Sequence, residues 1–354
     1  MKSINKIFKN TKILSFDKFF EKVLYDKKYG YYNKKIPFGI NGDFITSPDI
    51  SFLFSEVIGI WVVSTWQNLN KPKKFNFIEL GPGNGSLSKI LHKTFMKFPE
   101  FYKSTNFYLY EKSQILKKLQ KKKLKGLNIQ WIENIDKIKT APSIFFGNEF
   151  FDAIPIKQFE KKNGFLYERF IQIDSNLKFK IILKKATRKQ IENIKKLKIF
   201  DKLNFIEFPK AGLIEMKKVI KKIKLFNGGI LLIDYGYIKS NNNDTLQSIK
   251  NHKKNKIFDN IGESDVTSLV NFELLKNNFI KNNLHVEKIM PQGKFLRSMG
   301  IMQRAQIVSK DMSFKSKADI FLRLQRLLNP KYMGDLFKVI FACKYKIKNI
   351  DGFN

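Results

Sequence analysis

The residues best suited to chemistry follow one another as Glu79-Leu80-Gly81-Pro82-Gly83-Asn84-Gly85. Glycines at alternate positions let a backbone turn tightly and come close to a ligand. A helix leaving such a turn offers free N–H groups and the positive end of its dipole to whatever is bound. The spacing Gly-x-Gly-x-Gly is one residue shorter than the dinucleotide fingerprint Gly-x-Gly-x-x-Gly. It points to S-adenosylmethionine (SAM) rather than NAD. Gly81, Pro82, Gly83 and Gly85 would then face the methionine carboxylate, and Glu79 its α-ammonium group. A tight strand-to-helix turn with no ligand is the competing reading.

Three further places carry polar residues where short apolar segments end. Glu111 stands where an acid can accept both ribose hydroxyls of an adenosyl group, although charged strand ends are common. Glu133 and Asn134 would meet the adenine edge, or simply form a surface turn. Asn148, Glu149 and Asp152 follow another apolar segment, beside the expected position of a transferred methyl. Carboxylates in a first helical turn also complement the dipole. Their chemical reading is that methyl transfer needs an aligned, electron-rich nucleophile, and that carboxylates clamp and orient a guanidinium. With a pKa above roughly 12, an arginine must lose a proton before it is a good nucleophile.

These residues need a scaffold. From 75 onward the chain alternates apolar strands and helices: Phe75 to Leu80, the glycine loop, a helix to about Phe98, Asn106 to Glu111, a lysine-rich helix, Leu127 to Glu133 and Ser143 to Gly147. That rhythm predicts an α/β fold with a doubly wound parallel sheet, in which ligands bind at the carboxyl ends of the strands. Upstream, 14 to 28 has helical spacing, and 51 to 68 reads as a buried helix with two tryptophans. Between 156 and 226 the rhythm breaks into hairpin-like segments (Ile156 to Glu160, Phe165 to Asp174, Leu177 to Leu183) and a basic helical stretch. It resumes at Gly228 to Gly236. The chain closes with a helix over Ser316 to Leu328 and a strand over Leu336 to Tyr345.

Composition narrows the classes. The 354 residues, 43% hydrophobic, can fill a substantial core. A single cysteine, Cys343, excludes an internal disulfide, and three scattered histidines (His92, His252, His285) are too few soft ligands for zinc, so no metal is expected. No apolar run reaches the roughly 20 residues that cross a bilayer, and no apolar segment follows the basic N-terminus. The first ten residues hold no arginine and one serine, unlike a mitochondrial transit peptide. A cytoplasmic protein without membrane insertion is expected. The net charge of +36 invites a nucleic-acid partner, but only six of 67 basic residues are arginine, the side chain suited to phosphate and base edges. Abundant Lys, Asn, Ile and Phe together read as compositional drift, and nucleic acid is not the expected partner.

At this point the motifs match a known family. The chain resembles the MidA-like methyltransferases, which include a mitochondrial complex I assembly factor that methylates an arginine. The resemblance runs from about Ile13 to the C-terminus. It rests on Tyr29-Gly30-Tyr31-Tyr32, Gly42-Asp43-Phe44-Ile45-Thr46-Ser47-Pro48, the loop at 79 to 85, Tyr110-Glu111-Lys112-Ser113, and Asn148-Glu149-Phe150-Phe151-Asp152-Ala153-Ile154-Pro155. Ile233-Asp234-Tyr235-Gly236-Tyr237 and Gln292-Gly293-Lys294-Phe295-Leu296 complete it.

The resemblance implies a class I SAM-dependent methyltransferase fold, Rossmann-like, with an N-terminal helical extension and lid (1–70), a first half of the core (71–155), an inserted subdomain for substrate or partner contact (156–226) and the remainder of the core (227–354). It implies a protein arginine as substrate, on a respiratory complex I subunit, with a homodimer allowed. Gly42, Asp43, Thr46 and Ser47 would be lid residues near SAM, and Asn148, Glu149 and Asp152 the catalytic, substrate-side group. One departure stands out: where the family has His-Val-Asp-Phe, this chain reads Leu269-Val270-Asn271-Phe272, which puts a catalytic role for that segment in doubt and suggests packing instead. The rival readings are a SAM enzyme for RNA or a small molecule, and a non-enzymatic SAM-binding assembly chaperone.

Overall fold

The computed structural model describes residues 7–8, 11–34, 46–176, 178–197, 203–239, 242–250 and 253–353. The chain forms two compact units, each gathered from separate stretches of sequence. Met1–Phe44, Phe151–Lys217 and Tyr237–Asn278 make the first; Ile45–Phe150, Lys218–Gly236 and Phe279–Asn354 make the second.

The second unit contains the alternating elements. Its strands of three or more residues are β1 (Phe75–Leu80), β2 (Thr105–Tyr110), β3 (Gln130–Ile132), β4 (Ser143–Asn148), β5 (Gly228–Tyr237) and β6 (Phe337–Cys343). They lie in the order 3-2-1-4-5-6. The first five are mutually parallel, and β6 pairs antiparallel to β5, with Ile230 opposite Ala342 and Ile233 opposite Val339. The parallel strands are apolar along nearly their whole length because helices cover both faces of such sheets. Winding changes direction between β1 and β4, which pair Leu80 with Gly147. Their carboxyl ends therefore border the crevice where doubly wound sheets bind ligands.

Three helices set the geometry at that crevice. Helix α1 (Phe52–Asn68) starts where the Ser51 hydroxyl accepts the Leu53 N–H, and it is buried on nearly every side. Helix α2 (Ser86–Met96) leaves the glycine loop. Its Phe95 ring sits edge-on to Phe77 of β1 at 5.3 Å, so the helix is anchored to the strand that feeds it. Gly59 lets α1 approach closely: a Cβ there would lie 2.8 Å from Thr94 Cγ2. Helix α3 (Gln114–Lys123) turns Lys118, Lys121, Lys122 and Lys123 outward and buries Leu116 and Gln120.

The first unit holds an antiparallel five-stranded sheet in which Ile13–Ser15, Phe165–Ile173, Lys157–Lys162 and Phe205–Phe208 follow in that order, with Phe179–Lys185 also on Phe165–Ile173. The hairpin-like segments expected between 156 and 183 are these strands. The expected basic helical stretch also contains a strand, Phe205–Phe208, whose four residues are all buried. Helix Phe16–Tyr25 packs Phe19, Phe20, Val23 and Leu24 into this unit's core. Lys157, 11% exposed, is held between Asp17, 3.1 Å away, and Glu168.

Candidate active site

The glycine loop adopts the backbone that its composition anticipates. Gly81, Gly83 and Gly85 have φ of +65°, +53° and +76°, a region that costs side-chain-bearing residues free energy. Gly81 N–H donates to the Tyr110 carbonyl at 3.0 Å, tying β1 to β2, and Gly85 N–H donates to the Pro82 carbonyl at 2.8 Å. A Cβ on Gly81 would stand 3.0 Å from the Phe150 ring. Asn84 Oδ1 accepts the Ser86 N–H at 2.9 Å where α2 begins, while its Nδ2 reaches both Asp49 oxygens at 3.2 Å. Asp49 Oδ2 also accepts the Thr46 hydroxyl at 3.1 Å, so the segment at 46 to 49 is fastened to the loop. Sequence reasoning missed Asp49 because an acid in a short helix gives no signal of its partner.

Glu79 is 3% exposed at the end of β1, where it accepts the Ser88 hydroxyl at 2.6 Å. Burial lifts its carboxyl pKa from 4.5 to about 8, the Ser88 hydrogen bond opposes the rise, and the Glu111 charge adds to it. A neutral acid beneath the loop becomes a carboxylate once a cation arrives. Glu111 is also buried, which raises its pKa, and hydrogen bonds pull the other way. Its Oε1 accepts Ser113 N–H at 2.7 Å and its Oε2 accepts Gln120 Nε2 at 3.0 Å. Glu133 differs: it is exposed and paired with Lys117 and Gln114 Nε2, with its pKa lowered chiefly by the Lys117 hydrogen bond. Asn134 Oδ1 caps a short turn by accepting Asp136 N–H.

At the end of β4, Asn148 Nδ2 donates to Glu149 Oε1 at 3.0 Å, and the Ser47 N–H approaches the same oxygen at 3.4 Å. Glu149 has φ +51°, and its N–H donates to the Ile233 carbonyl at 2.9 Å. A left-handed glutamate at a strand end is strain of the kind that concentrates at functional sites. Two buried oxygens here, Ser47 Oγ and Asn148 Oδ1, have no hydrogen-bond partner among the described residues. Unmatched polar atoms beside a glycine cradle and a helix N-terminus suit a polar ligand bearing a carboxylate and hydroxyls.

Asp152 lies in the first unit. It is buried, its carbonyl accepts Ser268 N–H at 3.1 Å, and its charge helps burial and Asp265 raise the Tyr32 pKa well above the usual phenol range. Gly42 and Asp43 lie outside the described residues. The Leu269 to Phe272 segment makes local hydrogen bonds. Leu269 N–H donates to Thr245 Oγ1, and Asn271 Oδ1 accepts Leu274 N–H as helix Phe272–Lys281 begins. Leu269 and Asn271 line a small cavity of about 20 Å³ with Glu207 and Tyr237. Among the described residues, no group of three or more His, Cys, Asp or Glu is arranged to hold a metal, and no helix is long and apolar enough to cross a membrane.

Residues 57–290 match the family model described as "Putative S-adenosyl-L-methionine-dependent methyltransferase". The chain belongs to this MidA-like methyltransferase family. It is a SAM-dependent methyltransferase, with SAM as its cofactor. It is 30% identical to the protein arginine methyltransferase NDUFAF7 homolog, mitochondrial, of Caenorhabditis elegans, over 87% of this chain and 76% of that one. To the human protein arginine methyltransferase NDUFAF7, mitochondrial, it is 28% identical over 93% of this chain and 80% of that one. A Burkholderia thailandensis protein solved with S-adenosyl-homocysteine bound superposes with a TM-score of 0.81 at 21% identity, covering 100% of this chain and 92% of that one, and shares the fold.

The cytoplasmic placement expected from the sequence is overturned, because these relatives are named as mitochondrial proteins. Arginine and serine counts over ten residues were a poor discriminator: compartment is addressed by signals that the folded catalytic body does not need.

Proposed function

We propose that this methyltransferase acts on an arginine side chain of a partner protein, with a respiratory complex I subunit as the candidate partner. The observation that carries the reading is the Glu149 carboxylate, held at the end of β4 by Asn148 Nδ2 and the Ser47 N–H in the sheet position next to the glycine loop. The names of the relatives, protein arginine methyltransferases, support the same substrate class.

In this proposal the glycine loop, Pro82 and the start of α2 hold the cofactor's carboxylate end, Glu79 its ammonium and Glu111 its ribose. Thr46 and Ser47 stand on the lid side, and Glu133 contributes at the adenine edge. The cofactor supplies an electrophilic methyl group on a sulfonium. Glu149 orients the guanidinium, localises its charge on the nitrogens that do not react, and takes up the proton that leaves. Asn148 keeps the Glu149 carboxylate in one rotamer, so little reorganisation is required when substrate arrives.

The test incubates purified protein with methyl-tritiated SAM and an extract from cells lacking the gene, followed by mass spectrometry of labelled products. Label on a single protein arginine is expected. Label confined to RNA or small molecules would overturn the substrate class, and SAM binding with no label anywhere would favour an assembly role without catalysis.

A further inference from the structure

Helix α3 reads in sequence as a solvated lysine face, yet its central glutamine is fully buried. The Gln120 side-chain amide is used three ways. Nε2 donates to the Gly83 carbonyl at 2.8 Å and to Glu111 Oε2 at 3.0 Å, while Oε1 accepts the Trp131 indole N–H at 3.0 Å. Indole is only a donor, so the amide oxygen must face Trp131 and the NH₂ group must face the two acceptors. A flipped amide would set NH₂ against N–H and leave a carbonyl and a carboxylate opposed to an oxygen. The orientation is fixed by chemistry.

The arrangement joins two parts of the cofactor site that come from different strands. Gly83 is the middle of the loop after β1, and Glu111 follows β2. Backbone pairing of β1 and β2 ends at Leu80 and Tyr110, and beyond it the Gly81 N–H reaches back to the Tyr110 carbonyl. Gly83 and Glu111 lie past that support. Leu124 and the Gln120 stem reinforce the contact from below, where a Cβ on Gly85 would lie 3.4 Å and 3.6 Å from them. The other Glu111 oxygen is already held by Ser113 N–H, so Gln120 completes the orientation of the carboxylate.

We infer that Gln120 is a positioning residue for cofactor binding: it holds the glycine loop and the Glu111 carboxylate in register, and Trp131 holds Gln120. The inference rests on Glu111 as the ribose contact. A polar residue in this place is not needed for packing alone, since leucine fills a similar volume without two donors to satisfy.

Calorimetric titration of the full chain with S-adenosyl-homocysteine and with its 3′-deoxyadenosyl counterpart tests this. The wild-type protein should prefer the hydroxylated ligand. Gln120→Leu should weaken S-adenosyl-homocysteine by on the order of 10- to 100-fold, the loss expected for two buried hydrogen bonds, one of them charge-assisted, and weaken the deoxy ligand far less. Trp131→Phe, which keeps the ring and removes the orienting donor, should show the same selective loss in smaller measure. Gln120→Leu combined with Glu111→Gln should bind no worse than Glu111→Gln alone. If the wild-type protein binds both ligands equally, the ribose reading of Glu111 falls and the inference with it. If the wild-type protein discriminates and both Gln120→Leu and Trp131→Phe discriminate just as well, the inference alone is overturned.

Discussion

Glu79→Gln isolates the cost of a buried acid beneath the loop. In the folded protein the Glu79 pKa stands at about 8 against 4.5 for the free side chain, with burial as the main cause. A carboxyl whose pKa rises on folding binds its proton more tightly in the native state. Its contribution to stability therefore declines as pH climbs from 4.5 toward 8 and levels off above. At about 1.4 kcal/mol for each pH unit, the interval corresponds to about 5 kcal/mol. Glutamine keeps an oxygen for the Ser88 hydroxyl and never ionises. Without cofactor, variant and wild type should melt together near pH 5, and the variant should gain steadily until roughly pH 8, by about 2–4 °C for each kcal/mol. Differential scanning calorimetry across pH 5 to 9 measures the divergence. Parallel curves for the two proteins would refute the reasoning, because they would mean that Glu79 has the same proton affinity folded and unfolded.

Other outcomes follow from the same geometry. Glu149→Gln keeps the hydrogen-bonding shape and removes the proton acceptor, so kcat should fall by roughly 10²- to 10⁴-fold while KM for SAM changes by less than about threefold, as steady-state kinetics on the labelled protein substrate will show. Gly81→Ala meets both a φ of +65° and the Phe150 ring; SAM affinity should drop by about tenfold or more, and stability by roughly 1–3 kcal/mol, in calorimetry and chemical denaturation. Lys157→Ala leaves Asp17 and Glu168 facing each other without their shared cation and should destabilise the protein by about 3–5 kcal/mol, a loss that Lys157→Met with Glu168→Gln should largely recover in urea titrations.

The second unit was legible because its signals are local. An apolar strand, three glycines and a helix give β1, the loop and α2 almost residue for residue, and the strand expected over Leu336 to Tyr345 appears as β6 over Phe337–Cys343. Its antiparallel direction was not legible, since direction depends on which neighbour it meets. The same limit hid the strand Ile13–Ser15: three residues carry no periodicity, and Ile13 pairs with Gln172, far along the chain. Phe205–Phe208 was lost in basic surroundings, although Glu207 within it is buried and accepts hydrogen bonds from Gln158 and Thr245. In the site, acids at the ends of apolar strands were visible by themselves, as with the buried Glu79 and Glu111. Those that act through others were not: Gln120, Asp49 and Ser88 become meaningful only when tertiary structure supplies Gly83, Asn84 and Glu79 as partners.

The position of β6 has a consequence for how the protein is made. Strand β5 emerges from the ribosome more than a hundred residues before β6, and until residue 343 is free one flank of the parallel sheet has unpaired N–H and C=O groups along an apolar strand. Such an edge recruits other chains. Nascent protein must therefore dwell with a sticky flank during the last third of translation, a window in which a chaperone has something to shield and a premature stop codon leaves a product prone to aggregate rather than one merely lacking a tail.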